Sequence, residues 1–290
     1  ACKFASMNVA ETARWIESTL ESLYESEERI AIARELLLHL FQAEKKDWIR
    51  IQQHLLTPDM REKLDQQVKR LIEKEPLQYV LGEAWFCGFQ FHVAQGVLIP
   101  RPETEELVEW VISNCRFPVE SLEILDVGTG SGCIAISLKR RIRSAKVYAM
   151  DISNQALQIA KQNASKLGTD IHFIHQDLLN QNEWQQLPLF DFIVSNPPYV
   201  TPAEKNEMTP QVLEFEPPEA LFTPTQDPLL YYRALASLFL LKKKKNSQLF
   251  CEINPLYAAQ LANEWQQMGL CSEIKLDMQG KERMIRGWVD

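Results

Sequence analysis

The sequence predicts an α/β protein: a seven-stranded, doubly wound sheet with its last strand antiparallel, behind a small N-terminal helical bundle. Three observations predict it. Residues 8–75 carry helical periodicity only. From about residue 105, short apolar runs alternate with helical stretches, the pattern of a largely parallel sheet covered on both faces. The last two runs are joined only by Asp277–Glu282, too short for a parallel crossover.

The elements follow in order. Asn8 and Glu11 form an N-cap pair ahead of Ile16, Leu20 and Leu23. Ile30, Leu36, Leu37 and Leu40 mark a second helix, and Trp48, Ile51 and Leu55 a third. Thr57-Pro58-Asp59 opens a fourth, carrying Leu64, Val68, Leu71 and Ile72. Glu75-Pro76 ends the run, so residues 1–75 are expected to form one domain. Residues 76–103 read as a linker. Within it, the alternation from Trp85 to Val93 predicts a strand or hairpin, and Gly96–Pro102 is extended and stiffened by proline. Residues 104–290 form the sheet domain. A helix is expected over Thr104–Asn114. Strands are expected at Glu123–Val127, Lys146–Met150, Ile171–Ile174, Phe190–Ser195, Gln248–Glu252, Cys271–Leu276 and Arg283–Val289. Helices at Cys133–Arg141, Asn154–Leu167, Leu229–Leu241 and Pro255–Met268 fill most of the gaps. The basic run Lys242–Lys245 then caps a solvated helix end.

Composition narrows the function. Apolar residues make up 46% of the 290, enough for a sizeable core. No apolar run approaches the ~18 residues of a membrane span, and no signal pattern opens the chain. Met7 reads as a natural start, with Ala1–Ser6 as a leader. The six cysteines form no CxxC pair, and no histidine accompanies them at metal spacing. They are expected to be reduced thiols in a cytoplasmic protein without a metal. The net charge of −8 argues against a nucleic-acid partner.

The chemistry concentrates in two places. The first is Asp126-Val127-Gly128-Thr129-Gly130-Ser131-Gly132, which ends a strand and opens a helix. Its glycines allow tight turns and close approach of backbone to ligand. The GxGxG spacing, with an acid two residues before it, suits S-adenosylmethionine better than a pyrophosphate. That cofactor has no phosphate and carries an ammonium that Asp126 would attract. Asp151 ends the next strand, where a carboxylate can accept both ribose hydroxyls, with Ile152 beside it. Asp177 and Leu178 follow the third, placed for the adenine amine and ring. The second place is Asn196-Pro197-Pro198-Tyr199 after a buried strand. A planar NH2 group is a poor nucleophile because its lone pair is delocalised. The Asn196 side-chain oxygen and the Pro197 carbonyl can accept both of its N–H bonds, while Tyr199 packs against the flat group.

These motifs resemble the PrmC (HemK) family. The resemblance rests on Asp126–Gly132, on Asn196–Tyr199 and on Gly96-Val97-Leu98-Ile99-Pro100-Arg101-Pro102-Glu103-Thr104-Glu105. It extends to Pro76–Gly82, Glu216–Phe222 and Gly280–Arg283. It implies a class I S-adenosylmethionine-dependent methyltransferase that acts on N5 of the glutamine in the Gly-Gly-Gln motif of class 1 release factors. It further implies that Gly128, Thr129, Gly130 and Gly132 hold the cofactor with Asp126, Asp151, Ile152, Asp177 and Leu178. Asn196 would touch both cofactor and substrate. Pro197, Pro198, Tyr199, Arg101, Pro102 and Thr104 would line the substrate site, and the helical domain would dock the release factor to a monomeric enzyme. Two places depart from the family pattern: Thr223–Asp227 replaces a glycine-rich stretch, and Asn254 stands where many members have glycine. A ribosomal-protein glutamine methyltransferase stays open as an alternative, as does a nucleic-acid amino methyltransferase.

Overall fold

The computed structural model describes residues 7–115 and 122–290. The expected leader Ala1–Ser6, and Cys2 within it, lie outside the described residues. The chain divides into two compact units, Ala1–Gly82 and Glu83–Asp290.

The first unit contains helices α1 (Val9–Thr19), α2 (Ser26–Leu40), α3 (Trp48–Ile51), α4 (Pro58–Ile72) and α5 (Leu77–Leu81). Asn8 and Glu11 form a reciprocal capping box on α1, and Thr57 caps α4 with proline at its first turn. Ile16, Leu20, Leu36, Leu37, Leu64 and Leu71 pack a common core. Ile30, Leu55 and Ile72 are solvent-exposed. Ile72 follows the buried Leu71, so the ~100° turn per residue carries it off the apolar stripe. The unit runs past residue 75 because Arg70 ties α4 to α5. Its guanidinium donates to both Glu75 oxygens and to the carbonyls of Tyr79 and Val80.

The second unit opens with a hairpin, β1 (Glu83–Phe86) and β2 (Phe89–His92). Its two-residue turn, Cys87-Gly88, has φ of 49° and 78°, the double positive φ that matches the twist of paired strands. The turn interrupts the predicted alternation, so Ala84, Phe86, Phe91 and Val93 are buried while Trp85 faces solvent.

The main sheet then forms: α6 (Pro102–Ser113), β3 (Glu123–Val127), α7 (Cys133–Arg141), β4 (Lys146–Asp151), α8 (Asn154–Lys166), β5 (His172–His175) and β6 (Phe190–Ser195). It continues with α9 (Pro210–Phe215), α10 (Pro218–Leu221), α11 (Leu230–Lys242), β7 (Lys243–Glu252), α12 (Ala258–Gln267), β8 (Cys271–Leu276) and β9 (Glu282–Trp288). The strand order is β5-β4-β3-β6-β7-β9-β8. The first five strands are parallel, and β9 runs antiparallel to both its neighbours, as its short connection requires. Alternate residues serve opposite faces. Leu125, Val127 and Ile193 join one core with α11 and α12, while Ile124, Phe192 and Val194 join the other with α6, α7 and the hairpin.

Two local expectations are corrected. Helix α6 starts at Pro102 rather than Thr104, with proline at a first-turn position that needs no N–H. Lys242–Lys245 is no solvated helix cap, because α11 passes into β7 without an intervening loop. Lys242 is buried, and its Nζ donates to the carbonyls of Gln185 (3.0 Å) and Leu187 (2.7 Å). Lys244 pairs with Asp191 at 2.9 Å and Glu123 at 3.5 Å. These cations neutralise carboxylates and orphan carbonyls at the lower end of the sheet, which local sequence does not reveal.

Candidate active site

Strand β3 lies where the winding reverses, with β4 on one side and β6 on the other, and such switch points open a crevice at the strands' carboxyl ends. An open cleft occupies that place. Its wall includes Gly128, Thr129 and Gly130 from the glycine loop, Asp151 and Ile152 after β4, and Asp177 and Leu178 after β5. Asn196, Pro197 and Pro198 after β6 complete it with Arg101 and Thr104 at the start of α6. Twelve residues singled out from sequence therefore share one cavity.

The glycine loop is held by backbone bonds to the neighbouring strand. The N–H groups of Gly128 and Thr129 donate to the Met150 carbonyl at 2.8 and 3.0 Å. Gly130 N–H donates to Asp151 Oδ2 at 2.9 Å, and Ser153 N–H to Oδ1 at 2.9 Å. Burial raises the Asp151 pKa, against the pull of these donors. Gly128 and Gly130 have φ of 71° and 54°, and a Cβ on either would meet no atom within 4 Å, so both face open cleft. Deeper along the wall, Gln176 is nearly buried and its Nε2 has no partner among the described residues. Tyr231 also lines this part of the cleft.

Four predicted residues sit off the wall. Asp126 is fully buried at the end of β3, behind the loop rather than facing the cleft. Its Oδ2 accepts from Thr129 Oγ1 (2.6 Å) and Ala135 N (3.2 Å), while Oδ1 has no partner among the described residues. Burial, with a smaller contribution from the Asp151 charge, pushes its pKa up to about 7. The expected direct attraction of an ammonium gives way to a loop-bracing contact, because β3 is a central strand covered on both sides. Gly132 likewise turns into the protein: its hypothetical Cβ would stand 3.0 Å from Ile136 and 3.1 Å from Ala160. Pro102 starts α6, and Tyr199 reaches a residue that sequence reasoning missed.

That residue is Glu252, at the end of β7 and almost fully buried. One carboxylate oxygen accepts from Thr104 Oγ1 at 2.6 Å, and the other from the Tyr199 hydroxyl at 3.1 Å. Thr104 Oγ1 in turn accepts from Asn196 Nδ2 at 3.1 Å. Asn196 Oδ1 has no hydrogen-bond partner among the described residues. Burial raises the Glu252 pKa, opposed by Thr104, Tyr199 and the Arg283 charge, and burial beside Glu252 raises that of Tyr199. The signal in sequence was an acid closing the fifth parallel strand, the same position that Asp151 holds on β4.

Glu216 is the second omission. It is buried, accepts from Ile99 N–H at 3.2 Å, and pairs with the Arg101 guanidinium. It thereby fastens the Gly96–Arg101 segment beside the cleft. The stretch after it pairs with the Asn-Pro-Pro-Tyr loop through Val200 N–H to the Leu221 carbonyl and Thr223 N–H to the Val200 carbonyl. Thr223 and Thr225 bond within the turn, and Asn254 caps the segment after β7 while donating to Glu204.

Comparison with known proteins agrees with this geometry. A family model described as Methyltransferase small domain matches residues 105–222, and one described as PrmC N-terminal domain matches 11–82. A methyltransferase structure from Pyrococcus furiosus superposes with a TM-score of 0.51 at 13% identity, covering 77% of this chain and 97% of its own. Sheet order and family model together define the second unit as a Rossmann-like methyltransferase domain, and the enzyme as S-adenosylmethionine-dependent.

The relatives narrow this further. A protein named release factor glutamine methyltransferase from Flavobacterium psychrophilum is 44% identical over 75% of this chain and 76% of its own. Another of that name, from Bacteroides thetaiotaomicron, is 39% identical over 93% of this chain and 96% of its own. The chain belongs to the release factor glutamine methyltransferase family.

The residues present suit that cofactor. Among the described residues, the loop offers two glycines open to the cleft, the edge beyond β4 and β5 lines it with two carboxylates and no lysine or arginine, and an amide donor without a partner lies alongside.

Proposed function

We propose that this enzyme methylates the side-chain amide N5 of the glutamine in the Gly-Gly-Gln motif of class 1 release factors. One observation carries the reading. Asn196 spends its amide nitrogen on Thr104 and keeps its oxygen unpaired at the cleft, the arrangement required to accept a hydrogen bond from a substrate NH2.

Gly128, Gly130, Asp151, Ile152, Asp177 and Leu178 would hold the cofactor, with Asp126, Thr129 and Gly132 shaping the loop. When bound, S-adenosylmethionine supplies an electrophilic methyl group on a sulfonium. The chain's task is to present a nitrogen to it. Asn196 Oδ1 and the Pro197 carbonyl accept the two N–H bonds of the glutamine amide, which fixes the NH2 plane and favours positive charge building on nitrogen. Pro197 suits this because its ring stiffens the loop. Tyr199, locked on Glu252 behind the wall, steadies the loop, and Pro198, Arg101 and Thr104 bound the slot's approach, with Pro102 opening the helix that carries Thr104. The methylated nitrogen sheds one proton to water, so no side-chain base is required.

The N-terminal unit docks the release factor; its match to the family's own N-terminal domain and its exposed Ile49 and Leu55 support this. The enzyme acts on protein rather than nucleic acid, in keeping with its −8 charge, and as a monomer in the cytoplasm. No described helix is long and apolar enough to cross a membrane.

The test is mass spectrometry of purified release factor and ribosomal proteins after incubation with enzyme and S-adenosylmethionine. A single added methyl on the Gly-Gly-Gln glutamine is expected. Transfer to a ribosomal protein alone would overturn the assignment.

A further inference from the structure

An asparagine amide is nearly symmetrical in shape, so packing alone does not decide which end meets a substrate. Hydrogen bonding must decide it. In the slot proposed above the choice matters, because an NH2 turned toward the glutamine NH2 would set donor against donor.

The direction of the bonds behind Asn196 settles the choice. Both oxygens of Glu252 act as acceptors, one for Thr104 and one for Tyr199. Thr104 has a single hydroxyl proton, and Glu252 takes it at 2.6 Å. Only lone pairs remain on Thr104 Oγ1, so its other partner must be a donor. Asn196 therefore offers Nδ2 at 3.1 Å, which leaves Oδ1 as the end available to a substrate in the cleft that Asn196 lines. Each member is held from outside the relay. Thr104 lies in the first turn of α6, the Glu252 carbonyl accepts from Tyr232 Oη at 3.1 Å, and the neighbouring Ser195 Oγ donates to the Val127 carbonyl at 2.8 Å.

We infer that Thr104 and Glu252 are positioning residues that dictate the orientation of the Asn196 amide and so choose an NH2-bearing acceptor. This inference rests on the acceptor role proposed for Asn196. A carboxylate at position 252 is the element that gives the relay its direction. A glutamine there could donate to Thr104, release the threonine proton toward Asn196, and turn the amide round.

The experiment compares Thr104→Val, Thr104→Ser, Glu252→Gln, Asn196→Ala and the Asn196→Ala/Thr104→Val double variant in the full chain. Rates are measured in single turnover on intact release factor with both substrates saturating. S-adenosylhomocysteine affinity by calorimetry and thermal unfolding run alongside. Thr104→Val and Glu252→Gln are each expected to lose about 10–100-fold in rate, the scale of a misplaced reacting group, with cofactor-product affinity within about threefold. Thr104→Ser keeps the hydroxyl and is expected within about threefold of wild type. The double variant is expected to match Asn196→Ala alone, since with both substrates saturating Thr104 bears on the rate through that amide and not through its place along the approach. Wild-type rates in Thr104→Val or Glu252→Gln, Thr104→Ser as slow as Thr104→Val, or a double variant far below Asn196→Ala would each overturn the inference. Should Thr104→Val fail to fold, Glu252→Gln carries the comparison. Full activity in Asn196→Ala would instead sink the acceptor-site reading itself.

Discussion

The glycine loop contains residues that look alike in sequence and do different work. Gly128, Gly130 and Gly132 all have positive φ, so alanine at any of them costs about 1–2 kcal/mol of backbone strain. Their surroundings separate them. A Cβ at Gly132 would lie 3.0 Å from Ile136 Cδ1, 3.1 Å from Ala160 Cβ and 3.3 Å from Ala160 Cα, the last a backbone atom of α8. Forcing that contact adds overpacking of about 1–3 kcal/mol. A Cβ at Gly128 meets nothing and projects into the cleft instead. Gly132→Ala should therefore unfold roughly 4–8 °C below Gly128→Ala, taking about 2 kcal/mol of difference in a domain of this size. Its folded fraction should bind S-adenosylhomocysteine within about threefold of wild type, whereas Gly128→Ala should lose about 10–100-fold in affinity. Differential scanning fluorimetry and calorimetry on both variants decide it. A Gly132→Ala protein with unchanged unfolding temperature and lost affinity would refute the division of labour.

Three further outcomes follow from the same geometry. The buried Asp126 carboxyl binds its proton up to about pH 7, far above its ordinary 3.8, so the folded state holds more protons than the unfolded state between those values. Stability contributed by this group is full below pH 3.8 and lost as pH rises to about 7; Asp126→Asn should flatten that slope in urea titrations, and an unchanged slope would count against it. Glu216→Ala frees Arg101 and Ile99 N–H, and is expected to raise KM for release factor roughly 10-fold while leaving cofactor affinity in place. An unchanged KM would show that the clamp has no bearing on substrate. A slot with two acceptors needs two N–H bonds, so long incubation should stop at one methyl per glutamine; dimethylated product in the mass spectrum would exclude the two-acceptor slot.

Much of the site was legible because parallel strands deliver their last residues to one edge. Asp151, Asp177 and Asn196 each close an apolar run, and the fold needs no further information to bring them together. Glu252 closes a run in the same way, but its role depends on Thr104, 148 residues earlier, and no local pattern encodes that pairing. Glu216 and Ile99 are 117 residues apart and escape notice for the same reason. Charge alone does not place the Asp126 carboxylate, which is fully buried and off the cleft wall. Its strand is central, and the carboxylate is buried beneath the loop it braces. The setting of Lys242 is hidden in the sequence because a helix followed directly by a strand leaves no turn residues to mark the boundary.

The Asn-Pro-Pro-Tyr loop shows where the catalytic power of such a site must arise. No described group is placed as a general base, and an amide nitrogen gains little from one before it bears charge. What the chain supplies is fixed geometry. The loop is anchored at its root by Ser195 to the Val127 carbonyl, at Asn196 by Thr104, at Tyr199 by Glu252, and just beyond by Val200 to Leu221. These anchors come from four separate segments, so a shift of the loop has to break several bonds together. Holding reactants in near-attack geometry is worth about 7–11 kcal/mol in favourable cases, and a displacement of ~1 Å forfeits a large part of it. The buried Glu252 has a raised pKa and therefore costs stability as a carboxylate. Its retention at this point makes sense as the cost of a directed hydrogen-bond relay, since a neutral residue of the same size would satisfy packing equally well and leave the amide free to turn.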